Sequence, residues 1–211
     1  MNVDVVYVFP QVEIRTYQVL ANRFADTYRQ FRPSIPHQLH VILNGGEPNL
    51  NFAKLPFHDI DCQLHSHNNV GWDIGAFQMA ASRFPCDLMV FLGAPVHFHQ
   101  PGWLELMCEA YINYGPALFG CWAYLSPNWH VRTTCFWCPP EVVNTYPHII
   151  GNTRQMRYEF EHGGLSLTRH AMSAGLDCIM VTRKGCFPFS DWLNRAPGVE
   201  DSLVLDQFTH R

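Results

Sequence analysis

The stretch "NNVGWDIGAFQMAASRFPCDLMVFLGAP", residues 68–95, packs a polar loop, an amphipathic run and a short apolar run into immediate succession. Ile74, Phe77, Ala81 and Phe84 recur at helical spacing, so the middle run predicts a helix. "DLMVFL" (87–92) is short and apolar and predicts a buried central strand. That strand ends on Gly93, Ala94 and Pro95, a turn with no carboxylate.

Upstream the same alternation repeats. "VDVVYVF" (3–9) is a strand rich in β-branched residues, and Tyr17, Leu20, Ala21, Phe24, Ala25 and Tyr28 mark a helix that "RPSIPH" breaks. "LHVIL" (39–43) and "CQLHSH" (62–67) are two further strands, with "NGGEPN" (44–49) a turn between them. Downstream, Trp103, Met107, Ala110, Tyr111 and Tyr114 mark another helix. Strands alternating with helices mean βαβ units, a mostly parallel sheet flanked by helices, and ligands at the carboxyl ends of its strands.

The second half is mixed. "ALFGCWAYL" (117–125) and "TTCFWC" (133–138) are strand-like, and "PPEVVNTY" has Pro at a helix start. "GGLSLTRHAMSAGL" predicts a short strand and then a helix capped by Thr168 and stopped by Gly175. "CIMVTRKG" is a last strand, and the tail from Phe187 onward is expected to wrap the surface. No repeat or linker interrupts the chain, so it is expected to be one α/β domain, residues 1–211, with a ligand-binding half (1–115) and a smaller mixed half (116–211).

Composition removes several function classes. The chain has 211 residues, 47% hydrophobic and 15% charged, which suits one globular core rather than a disordered segment. The formal net charge is −4 and Lys and Arg do not cluster, so nucleic acid is not an expected partner. No apolar run approaches the roughly 20 residues of a membrane helix. "MNVDVVYVF" carries an acid within its apolar run and no basic leader, so it does not read as a signal peptide, and a strand from Val3 suggests that the fold starts at the true N-terminus. The eight cysteines lie mostly in apolar stretches, read as reduced thiols, and point to the cytoplasm. Cys135 and Cys138 form a lone Cys-x-x-Cys without a second ligand pair, inside a strand where the two face opposite sides. There is no Walker A sequence, no dinucleotide fingerprint after the first strand and no nucleophile elbow.

The densest polar cluster is "HSHNNVGWDIGAF" (65–77). Asn68, Asn69 and Gly71 form a loop able to aim backbone N–H groups at a ligand, and Asp73 stands at the helix start, either as its cap or as a ligand-facing acid. A second cluster is "RYEFEHGG" (157–164), where Glu159 and Glu161 alternate so that only one faces a cleft. A third is "SDWLNR" (190–195).

The order of elements over residues 3–170, with the segments 68–77 and 87–106, resembles a GT-A glycosyltransferase. The form Asn69-x-Gly71-x-Asp73-Ile74-Gly75 resembles the variant seen in rhamnan-synthesis-type glycosyltransferases. The resemblance implies a Rossmann-like domain that moves a sugar from a nucleotide-sugar donor to a hydroxyl acceptor such as a glycan. It implies that Phe9 and Pro10 flank the base with Asn44 and Gly45 beside it, that Asn69, Gly71 and Asp73 contact the donor, and that residues 93–95 lie near its diphosphate. There the family's Asp-x-Asp is replaced by Gly93-Ala94-Pro95, which puts a bound Mn or Mg ion in doubt. His97, His99 and His162, or arginines among which are Arg132, Arg157 and Arg195, are the substitutes for phosphate or metal contact. The resemblance also implies a general base from the second cluster, and Glu161 is preferred because His162 and two glycines follow it. Asp191 is a second candidate catalytic acid, and Trp192 is either an acceptor-stacking wall or a buried anchor. Two alternatives stand beside this reading: a non-catalytic GT-A domain that binds nucleotide or glycan or scaffolds a larger enzyme, and a nucleotidyltransferase.

Overall fold

The computed structural model describes residues 1–45, 55–194 and 201–206. In chain order the elements are β1 (Val3–Pro10), α1 (Ile14–Gln30), β2 (Gln38–Asn44), β3 (Gln63–His67), α2 (Trp72–Arg83), β4 (Leu88–Leu92) and α3 (Trp103–Tyr114). They continue with β5 (Ala117–Gly120), β6 (Ala123–Tyr124), β7 (His130–Val131), β8 (Cys135–Cys138), α4 (Pro140–Asn144), α5 (Arg154–His162), α6 (Leu167–Ser173), β9 (Asp177–Thr182) and β10 (Gly185–Pro188). Short 3-10 turns lie at Leu55–Phe57 and Phe189–Asn194.

Among the described residues, eight strands form one sheet in the order β10-β9-β5-β8-β4-β1-β2-β3. The pairs β1–β2, β2–β3, β1–β4 and β5–β9 are parallel. β8 is antiparallel to both β4 and β5, and β10 to β9. The expected α/β architecture, a mostly parallel sheet flanked by helices, is therefore what the chain adopts. Every residue of β1 is buried, because helices cover both faces of its centre. Val3, Val5, Tyr7 and Phe9 point into one layer with Phe24, Trp103 and Met107, while Val6 and Val8 point into the other with Ile74, Phe77 and Phe136. Cys135 and Cys138 fall in opposite layers, as a spacing of three in a strand requires. Cys135 lies 3.4 Å from Cys121 through their sulfurs.

Four expectations of the second half need correction. The run 117–125 is not one strand. It leaves the sheet after Gly120, where an added β-carbon would lie 2.3 Å from Val131 Cγ1, so the β6–β7 arm packs directly on the sheet backbone. "RYEFEH" is helical, not extended: it forms the end of α5, opened by Thr153, whose side chain accepts from Met156 N. Only Phe160 of that helix is buried, with Met156 half-buried one turn before it, so its apolar stripe is two residues wide and hard to read. "GGLSL" makes no strand, and the cap of α6 is Ser166, accepting from Arg169 N, while Thr168 Oγ1 accepts from Val131 N at 2.9 Å. The helix does stop before Gly175, which takes φ +80°. Finally, residues 202–206 do not lie on the surface. Leu203 and Val204 are fully buried, and Leu205 exchanges two 2.9 Å backbone hydrogen bonds with His97. Of the expected 44–49 turn, residues 46–49 lie outside the described residues, as does Arg195.

Candidate functional site

The carboxyl ends of β1 and β4 open into a cleft of about 500 Å³. One wall is the first half of α1 (Thr16, Tyr17 and Leu20), and the floor is the start of α2 (Trp72, Asp73, Ile74 and Phe77) with Ala94 and Pro95 after β4. The far wall is Arg132, Thr133 and Thr134, just before β8, with Arg157 and Glu161 from α5. An antiparallel β8 makes this possible: its beginning, rather than its end, meets the carboxyl end of β4, and Gly93 N donates to Thr134 O at 2.8 Å.

The loop before α2 is held in a special conformation. Asn69, Gly71 and Trp72 all have positive φ, at 64°, 78° and 53°. At Gly71 glycine is required, since a β-carbon would sit 2.3 Å from the backbone oxygen of Ile150. The Gly71 N–H donates to Asn152 Oδ1 at 2.8 Å. Gly71 caps α2 without a side-chain hydrogen bond, so Asp73 is not the cap but stands in the first turn, where the helix dipole favours its charge. Trp72 is an aromatic at positive φ, a costly conformation that tends to occur at ligand sites. Its ring lies under the Arg157 guanidinium, 5.5 Å away.

Asp73 keeps part of its surface open to the cleft, but its carboxyl is set deep among protein atoms. Burial pushes its pKa up to about 6, Arg157 pulls it back, and Glu161 adds to the rise. Tyr7, whose hydroxyl donates to Ala94 O at 3.0 Å, is raised well above the ordinary phenol value by burial and then by Asp73. Glu161 accepts from Thr133 Oγ1 at 3.0 Å through Oε1, and its Oε2 lies 3.8 Å from His162 Nδ1. Glu159 faces elsewhere and accepts from Gln155 Nε2. Arg132 is paired with the fully buried Asp206 at 2.7 Å, its guanidinium 5.3 Å from the Trp122 ring and 5.7 Å from that of Tyr124.

The structure thus brings together Asp73, Ala94, Pro95 and Glu161 of the sequence-predicted set, with Gly93 beside Asp73. Others stand apart. Phe9 packs in the core and Asn44 is buried against His67 Nδ1 at 2.7 Å, with Pro10 beside it at the end of β1. His97 and His99 do not line the cleft; His97 is the backbone partner of Leu205. Asp191 is exposed on the last 3-10 turn. Trp192 is no acceptor wall: it is 3% exposed, packs on Phe189 and donates to Phe187 O, so the anchor alternative describes it. Sequence reasoning missed Tyr17, Trp72, Thr133 and Thr134. Tyr17 read there only as a helix stripe residue, Trp72 carried no assigned role, and no signal in the sequence ties the threonines to the end of β4.

Manganese or magnesium needs several hard oxygen ligands. Among the described residues, no three His, Cys, Asp or Glu side chains gather on one point, and residues 93–95 supply no carboxylate. These residues do not fit such an ion. No helix among the described residues is long and apolar enough to cross a membrane.

No protein-family model and no curated protein sequence matches the chain. Solved structures do. Mouse xyloside xylosyltransferase 1 in its apo form aligns with a TM-score of 0.53 at 9% identity, over 83% of this chain and 82% of that one. A Bacillus anthracis protein designated a glucose-1-phosphate thymidylyltransferase, in complex with a sucrose, aligns with a TM-score of 0.55 at 9% identity, over 82% and 84%. The mannosyltransferase PcManGT from Pyrobaculum calidifontis, in complex with GDP-Man and Mn2+, aligns with a TM-score of 0.52 at 10% identity, over 67% of this chain and 45% of that one. At such identities the likeness establishes the fold, which is that of the GT-A glycosyltransferases.

Proposed function

We propose that the protein is a glycosyltransferase that moves a sugar from a nucleotide-sugar donor to an acceptor hydroxyl of a glycan. The observation that carries this reading is the meeting of Asp73, Glu161, Arg132 and Arg157 in one cleft at the carboxyl ends of β1 and β4. Two guanidiniums suit a diphosphate, since their planar forks match phosphate oxygens. Asp73 takes a hydroxyl of the donor. Glu161 is the general base, held in place by Thr133 Oγ1. The acceptor oxygen attacks the anomeric carbon as the bond from that carbon to the diphosphate oxygen breaks. The acceptor proton passes to the Glu161 carboxylate, the nucleoside diphosphate leaves with the bonding electrons, and the arginines hold its charge. This order inverts the anomeric centre. The cysteine usage of the sequence supports placing the reaction in the cytoplasm.

Titration calorimetry with UDP-, GDP- and dTDP-sugars tests the reading; at least one binds, and binding of none would sink it. A second reading, a domain that binds nucleotide without turnover, is favoured by the missing acids at Gly93-Ala94-Pro95. Donor hydrolysis measured with Mn2+ and with EDTA separates the two, because binding without any turnover selects the second.

A further inference from the structure

We infer that Cys121 and Cys135 are a latent disulfide site, a thiol pair that an oxidant closes into a staple at the base of the β6–β7 arm. The inference is independent of the donor-binding reading. Cys135 belongs to the Cys-x-x-Cys of the sequence, but Cys138 faces the opposite layer and is not its partner. Its neighbour is Cys121, 14 positions back, with the two sulfurs 3.4 Å apart. The antiparallel register of β5 and β8 pairs Phe119 with Trp137 and Gly120 with Phe136; carried one residue further, it sets Cys121 opposite Cys135. Residues opposite one another in such a pair have α-carbons about 4.5–5.5 Å apart, inside the range of about 4.4–6.8 Å that a disulfide spans. The sulfurs have only to close from 3.4 Å to about 2.05 Å.

Both cysteines are free and fully buried. Burial, and then Cys121, push the Cys135 thiol well above the ordinary thiol value, so the closed arm offers little thiolate. Reaction therefore waits for the arm to lift. β6 and β7 are two residues each, residues 124–127 are exposed, and side-chain ties to the helices beneath are Val131 N to Thr168 Oγ1 at 2.9 Å and Asn128 Nδ2 to His162 O at 2.8 Å. So short and exposed a segment opens locally, well before the sheet does. A small disulfide such as oxidised glutathione is the oxidant. One protein thiolate attacks it, forms a mixed disulfide and releases the first glutathione thiol. The second protein thiolate attacks the protein sulfur of that bond and releases the other. The two protein thiols thus lose two protons and two electrons, which the small disulfide takes up. The new bond closes residues 121–135 into a loop and pins both ends of the segment that carries Arg132, Thr133 and Thr134 into the cleft.

The experiment incubates the full chain with oxidised glutathione, blocks the remaining thiols and maps its peptides without reduction. A peptide pair linked through Cys121 and Cys135 is expected, and it forms faster in sub-denaturing urea because the arm must lift. The melting midpoint should rise by about 5 °C or more, the effect of closing a loop of that length, and fall back with dithiothreitol. Cys121→Ser and Cys135→Ser should each abolish the rise, while Cys138→Ser keeps it. Absence of the linked pair overturns the inference, including the case in which only the half-buried Cys62, Cys86 and Cys186 take up glutathione. So does a linked pair that leaves the midpoint unchanged or lowers it. The mapping needs no variant, so a serine substitution that fails to fold leaves the test standing.

Discussion

A β-carbon placed on Gly93 would lie 3.5 Å from Asp73 Oδ2. The turn that lacks acids therefore stands directly against one of the two acids that line the cleft. Gly93→Asp puts two carboxylates within a few ångströms, and two such groups do not ionise independently. We expect the variant to fold, since its β-carbon meets only ordinary contacts of 3.4 Å or more. Relative to the unaltered protein it loses about 1–2 kcal/mol more stability at pH 8 than at pH 5. Millimolar Mn2+ restores part of that loss, because paired carboxylates are the ligands that the site otherwise lacks. Melting curves with and without Mn2+ at both pH values check this.

Asp73 gives a pH signature of its own. Its folded value, about 6, lies above the unfolded value of 3.8, so the folded state holds the extra proton between the two. Stability from this group is complete below pH 4 and falls as the pH rises through 6. Asp73→Asn removes that slope. Its stability relative to the unaltered protein should improve between pH 4 and pH 7 by on the order of 3 kcal/mol. Urea unfolding across that range measures the difference, and a flat difference would show that the carboxyl is not held in a desolvating site.

Glu161→Gln keeps the shape and the Thr133 contact but cannot take a proton. Turnover should fall by about 10²-fold or more, with donor affinity changed less than about threefold. Single-turnover rates and calorimetry separate the two quantities. Unchanged turnover would refute the base assignment.

Arg157 faces both the Trp72 ring and Asp73. Removing its charge by Arg157→Ala should push the Asp73 carboxyl further above its ordinary value, since Arg157 is the group that pulls it back. Nucleoside diphosphate affinity should drop about tenfold, with a shallower dependence on salt. Titration at two ionic strengths tests both.

Gly71→Ala tests the loop itself. Its β-carbon would meet the Ile150 backbone oxygen at 2.3 Å, at a φ of +78° that alanine disfavours. Because the obstacle is backbone, no side chain can move aside. A loss of about 2–4 kcal/mol is expected, read as a lower midpoint in denaturant. A loss under about 0.5 kcal/mol would mean that the loop is free to rearrange.

The parallel half was legible because each element there carries a single period. β1 is an apolar run broken only by Asp4, and α1 and α2 repeat their apolar residues at helical spacing. The place of Asp73 followed from the same logic, since strand ends of a parallel sheet collect ligands. The far wall was not legible. Thr133 and Thr134 reach the cleft only because β8 runs backwards between β4 and β5, and pairing direction leaves no mark on a four-residue apolar strand. Helix α5 hid for a different reason: its core-facing stripe is only Met156 and Phe160, and its start is marked by the Thr153 cap. Asp206 looked like a tail acid, and its burial depends on Leu203 and Val204 being drawn into the core beside it.

The reversed strand has one more consequence. The chain leaves the sheet at Gly120 and returns at Cys135, and everything between is a single excursion anchored at both ends beside the cleft. That excursion carries Trp122, Tyr124, Trp129 and Arg132. A change confined to residues 121–134 would therefore reshape this side of the cleft while β4, β5 and β8 kept their register.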